Sequence, residues 1–260
     1  MAKKSTAVTT TSENPLANLS AELQGLLAEN ADQGLENVGA EGFALPFLKL
    51  LQSLSPEVEE GEDSYVEGAR PGLILDSVTR EIFPAVEVIP VHIRSAVIEW
   101  APRSQGGGFI AEYANREEAE DNVTPGNELK DTITYTVLYR PEGREHFGGA
   151  VLSMDSTKLK IARSWNTQLS MMKVPIEVNG EVQRVSPPIF MTRWLLSAAK
   201  QENAKGRFYN FAVRSLGLVE DTSTVETAQQ IRASVEGRPL RGKNGDLPEP
   251  VVGEGADTSY

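Results

Sequence analysis

The chain contains no cysteine in its 260 residues. Disulfide frameworks and thiolate zinc sites are thereby excluded, and a reducing compartment is compatible with the composition. Imidazole is nearly as scarce. His92 and His146 are the only histidines, so a metal site would have to be built mostly from carboxylates. No apolar run approaches the length of a membrane span. The N-terminal MAKKSTAVTTTSENP has two lysines with no apolar core behind them, which is not the pattern of a secretory signal. There is no repeat at a fixed period. The glycine-rich stretches GARPG and QGGGF lack the Lys-Ser/Thr ending of a phosphate-cradling loop. Neither histidine stands in a recognisable triad arrangement, and the acid runs EVEEGED and REEAED read as solvated surface. From these absences we expect a soluble protein that is not an enzyme and carries no cofactor and no metal.

What the chain does have is charge, unevenly placed. Its 37 acids against 25 Lys and Arg give a formal net charge of −12. Up to Gly68 there are twelve acids against three lysines. Between Asp155 and Ser215 the balance reverses, with ten bases against four acids. Salt confines the field of such a segment to roughly 10 Å, so a local basic surface survives on an acidic protein.

Hydrophobic periodicity divides the chain. Residues 1–14 are Ser/Thr/Lys-rich and read as a disordered terminus. Residues 15–68 form an acidic helical or extended lead-in, with a helix over Ala21–Asn30 capped by Ser20. Residues 69–218 read as a β-barrel domain. Within it, Ala85–Trp100 is β-branched and too long for one plain strand, which predicts a bend or bulge. DTITYTVLYRPEGREHFGGAVLSM predicts a hairpin, and IEVNGEVQRV a second one about Asn179-Gly180. Between these two hairpins a helix is predicted from an Asp155, Ser156 or Thr157 cap to about Met172, with Leu159, Ala162, Leu169 and Met172 as its buried stripe. Two further strands meet at NAKG. Residues 219–240 hold a last helix with Val225, Ala228, Ile231 and Val235 in register. Residues 241–260, with four acids and no base from Asn244 onward, read as a disordered acidic tail. The order of strands, one helix, then strands predicts a mainly β fold with helices. The specific expectation is an oligonucleotide-binding (OB-fold) Greek-key β-barrel, with a β-sandwich as its structural rival.

A single nucleic-acid strand needs cations for its phosphates and flat side chains for its unstacked bases. The basic segment interleaves both. Lys158, Lys160 and Arg163 precede Trp165; Arg193 precedes Trp194; Lys205 and Arg207 precede Phe208, Tyr209 and Phe211. Arg94, Trp100 and Arg103 form a second group around the triple glycine, with Phe109 and Tyr113. The candidate DNA-binding set is Lys158, Lys160, Arg163, Arg193, Lys205, Arg207, Arg94 and Arg103 for phosphates, with Trp165, Tyr209 and Trp100 for stacking.

LPFLKLLQSLSPEV, GARPGLILDSVTREIF, VEVIPVHIRSAVIEWAPRSQGGGF and STKLKIARSWN together resemble a group of tailed-bacteriophage single-stranded-DNA-binding proteins of the replication and recombination module. The resemblance runs from about Leu45 to Gly217. It implies an oligonucleotide-binding barrel, cooperative coating of single-stranded DNA, and an acidic C-terminal tail that recruits replication or recombination proteins; the interleaved bases and aromatics predict little sequence preference, and the expected location is the host cytoplasm. A homo-oligomer remains open. Two other readings stand beside it: a virion or scaffold protein–protein interaction module, and a metal-dependent nuclease built from carboxylates.

Overall fold

The structure is a computed structural model, and it describes residues 20–30, 33, 45–102, 104, 108–204 and 206–236. The predicted disordered termini, 1–14 and 241–260, lie outside the described residues, as do Arg103 and Lys205. The chain divides into two units, Met1–Phe43 and Ala44–Tyr260. In the first, α1 (Ala21–Glu29) starts where Ser20 accepts a hydrogen bond from the Leu23 N–H, 3.3 Å away. Residues 45–68, read from the sequence as part of a lead-in, fall in the second unit.

The second unit is mainly β with three helices among the described residues. Its principal sheet is antiparallel throughout. The strands are β4 (Ala85–Trp100), β5 (Phe109–Tyr113), β6 (Glu128–Pro141), β7 (Gly148–Asp155), β10 (Thr192–Asn203) and β11 (Gly206–Leu218). Their order is β11-β10-β4-β6-β7, with β5 paired to the far half of β4. The expected bulge in β4 falls between Pro90 and His92. Pro90 donates no ladder bond, and the extra residue turns both Ile89 and Val91 toward one core cluster and Ile93 toward the other. A smaller sheet, β1 (Leu48–Leu50), β2 (Ile74–Asp76) and β3 (Ile82–Phe83), lies with the first cluster.

Two helices cover the two faces. On one face α3 (Leu159–Met171) buries Ala162, Trp165 and Leu169 against Tyr135, Leu152, Trp194 and Phe211. On the other, α4 (Thr222–Val235) sets Val225, Ala228 and Ile231 on Ile89, Val91, Leu138 and Phe190. The Trp165 ring stacks on Tyr135 at 4.5 Å and meets Trp194 edge-on at 5.9 Å. Truncating so enclosed a tryptophan costs about 3–5 kcal/mol.

The predicted Greek-key barrel is not closed among the described strands; both sheets are open. The lumen of a small barrel holds side chains only. Here a whole helix, led by Trp165, occupies that face and holds the sheet open. The segment from Pro46 to Gln52 reaches across instead. The Val151 N–H donates to the Pro46 carbonyl at 2.8 Å, which ties the segment to β7. At β11 the Gln52 side-chain amide substitutes for a strand: Nε2 donates to the Tyr209 carbonyl and the Tyr209 N–H donates to Oε1, both at 2.9 Å. Glu57 departs from expectation too. In the run read as solvated it is buried, 2.7 Å from the Lys49 Nζ. Burial pushes the Lys49 ammonium below its ordinary pKa despite the pull of Glu57.

Candidate nucleic-acid interface

The residues that sequence reasoning grouped together are divided by the sheet. Lys158, Lys160 and Arg163 belong to α3 and the single 3-10 turn before it (Ser156–Lys158), on one face. Arg193 lies on the other. It pairs with Glu87 at 2.5 Å, and Glu87 alternates with Val86 and Val88 of the first core cluster. Arg94 is likewise out of phase with Ile93, and it pairs with Glu112 at 2.6 Å. Arg207 is exposed near the β10–β11 turn, 3.5 Å from Glu202.

The aromatic candidates are placed differently from expectation. Trp165 is fully buried and has no face to offer a base. This corrects its assignment as a stacking residue: the i, i+3, i+7 spacing with Ala162 and Leu169 carries its indole inward with the apolar stripe. Tyr209 is half-buried, packed on the first core cluster. Trp100 is half-buried at the β4–β5 tip, edge-on to Phe109. Tyr209 packs on the cluster that α3 covers, and neither ring lines the groove beside α3.

What the structure does assemble is an open groove of about 290 Å³ between α3 and the far ends of β4 and β6. Val97, Ile133 and Leu159 give it an apolar floor, with Arg163 on one side and Arg116 on the other. Arg116 opens α2 (Arg116–Asn122), which begins where Asn115 accepts from the Glu118 N–H at 2.9 Å. It stands 3.6 Å from Asp131 and 3.5 Å from Glu120. Sequence reasoning passed over Arg116 because it leads an acidic run; only the fold brings it opposite Arg163. Lys158 reaches Asp155 at 3.0 Å. Lys160 and Arg163 are exposed and in no ion pair among the described residues. The whole of α3 carries no carboxylate.

The β4–β5 end of the groove is pinned by a buried carboxylate. Glu99 accepts from the Tyr113 hydroxyl at 2.5 Å, the Asn127 Nδ2 at 2.6 Å and the Thr124 N–H at 2.9 Å. Burial would raise its pKa, but these donors prevail and hold it below the ordinary carboxylate value. The same contact pushes the Tyr113 hydroxyl up to about 12. A larger hollow of about 470 Å³ opens on the opposite face, beside the start of α4. Its Arg140 and Arg193 both spend their charge on Glu87, and Glu145, Glu220 and Asp221 also line it. A polyanion meets net repulsion there. No group of three His, Asp or Glu with metal-holding geometry occurs among the described residues. No helix among them is long and apolar enough to cross a membrane.

Comparison with known proteins places the chain. The family model described as Pam3 phage gp34-like protein matches residues 17–240. The chain belongs to that family. The Pam3 phage gp34-like match takes in α3, the groove and all three core clusters, so the bacteriophage character expected from the sequence holds over the whole described fold. No curated protein and no solved structure matches the chain.

Proposed function

We propose that the protein binds single-stranded DNA in phage replication and recombination, along the groove between α3 and α2, without catalysing a reaction. The observation that carries this reading is the acid-free outer face of α3. In a chain of net charge −12, Lys160 and Arg163 are exposed and in no ion pair among the described residues, and Arg163 lines an apolar-floored groove. Their guanidinium and ammonium groups would neutralise phosphates, with counterion release contributing to affinity. The apolar floor would receive unstacked bases. The antiparallel sheet, with Pro46–Gln52 tied to both β7 and β11, is the feature that supports kinship with oligonucleotide-binding architecture.

The test is a pair of fluorescence-anisotropy titrations with a labelled single strand and the matching duplex across a salt series. The single strand should bind more tightly, with little dependence on sequence. A Lys160→Ala/Arg163→Ala double variant should weaken binding and flatten the log–log salt slope by roughly 0.7 per lost phosphate contact. Equal affinity for the duplex, or an unchanged slope in the variant, would overturn the proposal.

A further inference from the structure

The hairpin β8 (Val174–Val178) and β9 (Glu181–Val185) forms a two-stranded sheet of its own. All its strand residues except Val174 and Val185 at the base are exposed. Among the described residues of the second unit, eight large apolar side chains are exposed, and four of them (Met171, Ile176, Val178 and Val182) lie on this arm or at its root. A lone hairpin is marginal in water, and apolar side chains concentrated on one projection mark a contact surface.

The arm's two edges are not equivalent. Asn179 and Gly180 both have positive φ, 54° and 81°, which suits a two-residue type I′ turn and makes Val178 and Glu181 a hydrogen-bonded pair. By alternation, the backbone groups of Pro175 and Glu177 point outward on β8, and those of Val182 and Arg184 on β9. Proline has no N–H, so the β8 edge is blocked. The β9 edge is open, with two outward donors and two outward acceptors. The arm and its root carry Lys173, Glu177, Glu181 and Arg184, which sum to zero charge. Two otherwise acidic chains can therefore approach at this point without repulsion.

We infer that the arm pairs with a second copy of this chain, β9 against β9 in antiparallel fashion about a two-fold axis through Gln183. In that register Val182 faces Arg184 of the partner copy and the reverse, so all four outward groups on each edge are bonded. A shift centred on Arg184 would put like charges opposite each other, and one centred on Val182 would run into the turn. The pairing yields one continuous four-stranded sheet across the two-fold axis, an isologous contact. This inference rests on the arm alone and is independent of the DNA-binding groove.

The absence of cysteine from the chain makes the register directly testable. Gln183 would sit opposite Gln183 of the partner copy in a non-hydrogen-bonded antiparallel pair, with Cα atoms about 4.5 Å apart, within disulfide range. The full-length Gln183→Cys variant should form a covalent dimer under mild oxidation, while Glu220→Cys, equally exposed but remote, should not. Analytical ultracentrifugation of the unmodified chain should give twice the chain mass. Val182→Pro, which removes an outward N–H and leaves the hairpin's own bonds intact, should return it to the monomer mass. A monomer at every concentration overturns the proposal. So does a dimer indifferent to Val182→Pro, or cross-linking of Glu220→Cys as efficient as that of Gln183→Cys. Arm variants that change DNA affinity without changing mass would assign the arm to the strand instead, and equally overturn it.

Discussion

Gly72 illustrates how a single residue position is decided by a distant one. Its φ is +90°, in the left-handed region, and a Cβ built there would lie 2.6 Å from the Tyr209 ring. Both facts oppose any side chain. The Gln52 amide holds the Tyr209 backbone in place, so the ring can yield only by rotating out of its packing on the first core cluster. Gly72→Ala should therefore destabilise by about 1–3 kcal/mol, read as a lower urea midpoint. A midpoint equal to that of the unmodified protein would show that the ring yields freely. The two paired tryptophans make the complementary point. Trp165 and Trp194 occur beside basic residues in the sequence, as base-stacking residues do, yet both are buried. A basic neighbour in sequence says little about exposure when the helix period turns the next apolar residue inward.

At the scale of elements, the joint between β4, β6 and β10 rests on one carboxylate. Glu87 accepts from Arg140 of β6 at 2.8 Å and pairs with Arg193 of β10 at 2.5 Å. Burial alone would raise its pKa, but the two guanidinium groups outweigh that and leave it below its ordinary value of 4.5. A depressed carboxylate stabilises the fold above its unfolded-state pKa, and that stability is lost as pH falls through the folded-state value. Glu87→Gln should cost about 1–3 kcal/mol at neutral pH, since it removes the carboxylate that two half-buried guanidinium groups share. The gap between variant and parent should close as pH drops below about 4.5. Chemical denaturation across a pH series reads this out, and a gap independent of pH would remove Glu87 as the cause.

For the whole molecule, the opposed charge of its parts is the property to test. The proposed groove is basic within an acidic chain, and residues 244–260 add four acids and no base. A tethered anionic segment competes with DNA for a cationic groove at an effective concentration that reaches millimolar for a short linker. Truncation after Lys243 should tighten single-strand binding at low salt by a few-fold, on the order of 1 kcal/mol. The difference should vanish at high salt, because the competition is electrostatic. Tighter binding that persists at high salt, or weaker binding on truncation, would exclude this competition.

Local chemistry determined the elements. Ser20 capped α1, Asn179-Gly180 made the arm's turn, the long β-branched run from Ala85 became a bulged strand, and the apolar spacing of Val225, Ala228 and Ile231 set the inward face of α4. Each depends on neighbours within a few residues, so the sequence records it. The tertiary structure alone decided the rest. The fate of the barrel depended on whether a helix bearing Trp165 would fill the concave face, a question of volume among residues far apart in the chain. The burial of Glu57 depended on Lys49 coming up from β1. Which cations stayed available was settled by carboxylates from other elements. Glu87 took Arg193 and Glu112 took Arg94, while no carboxylate among the described residues reached Arg163. Coulomb and packing partners are chosen in space, so the charge pattern of Asp155–Ser215 announced a basic segment without saying on which face of the sheet any of its cations would stand.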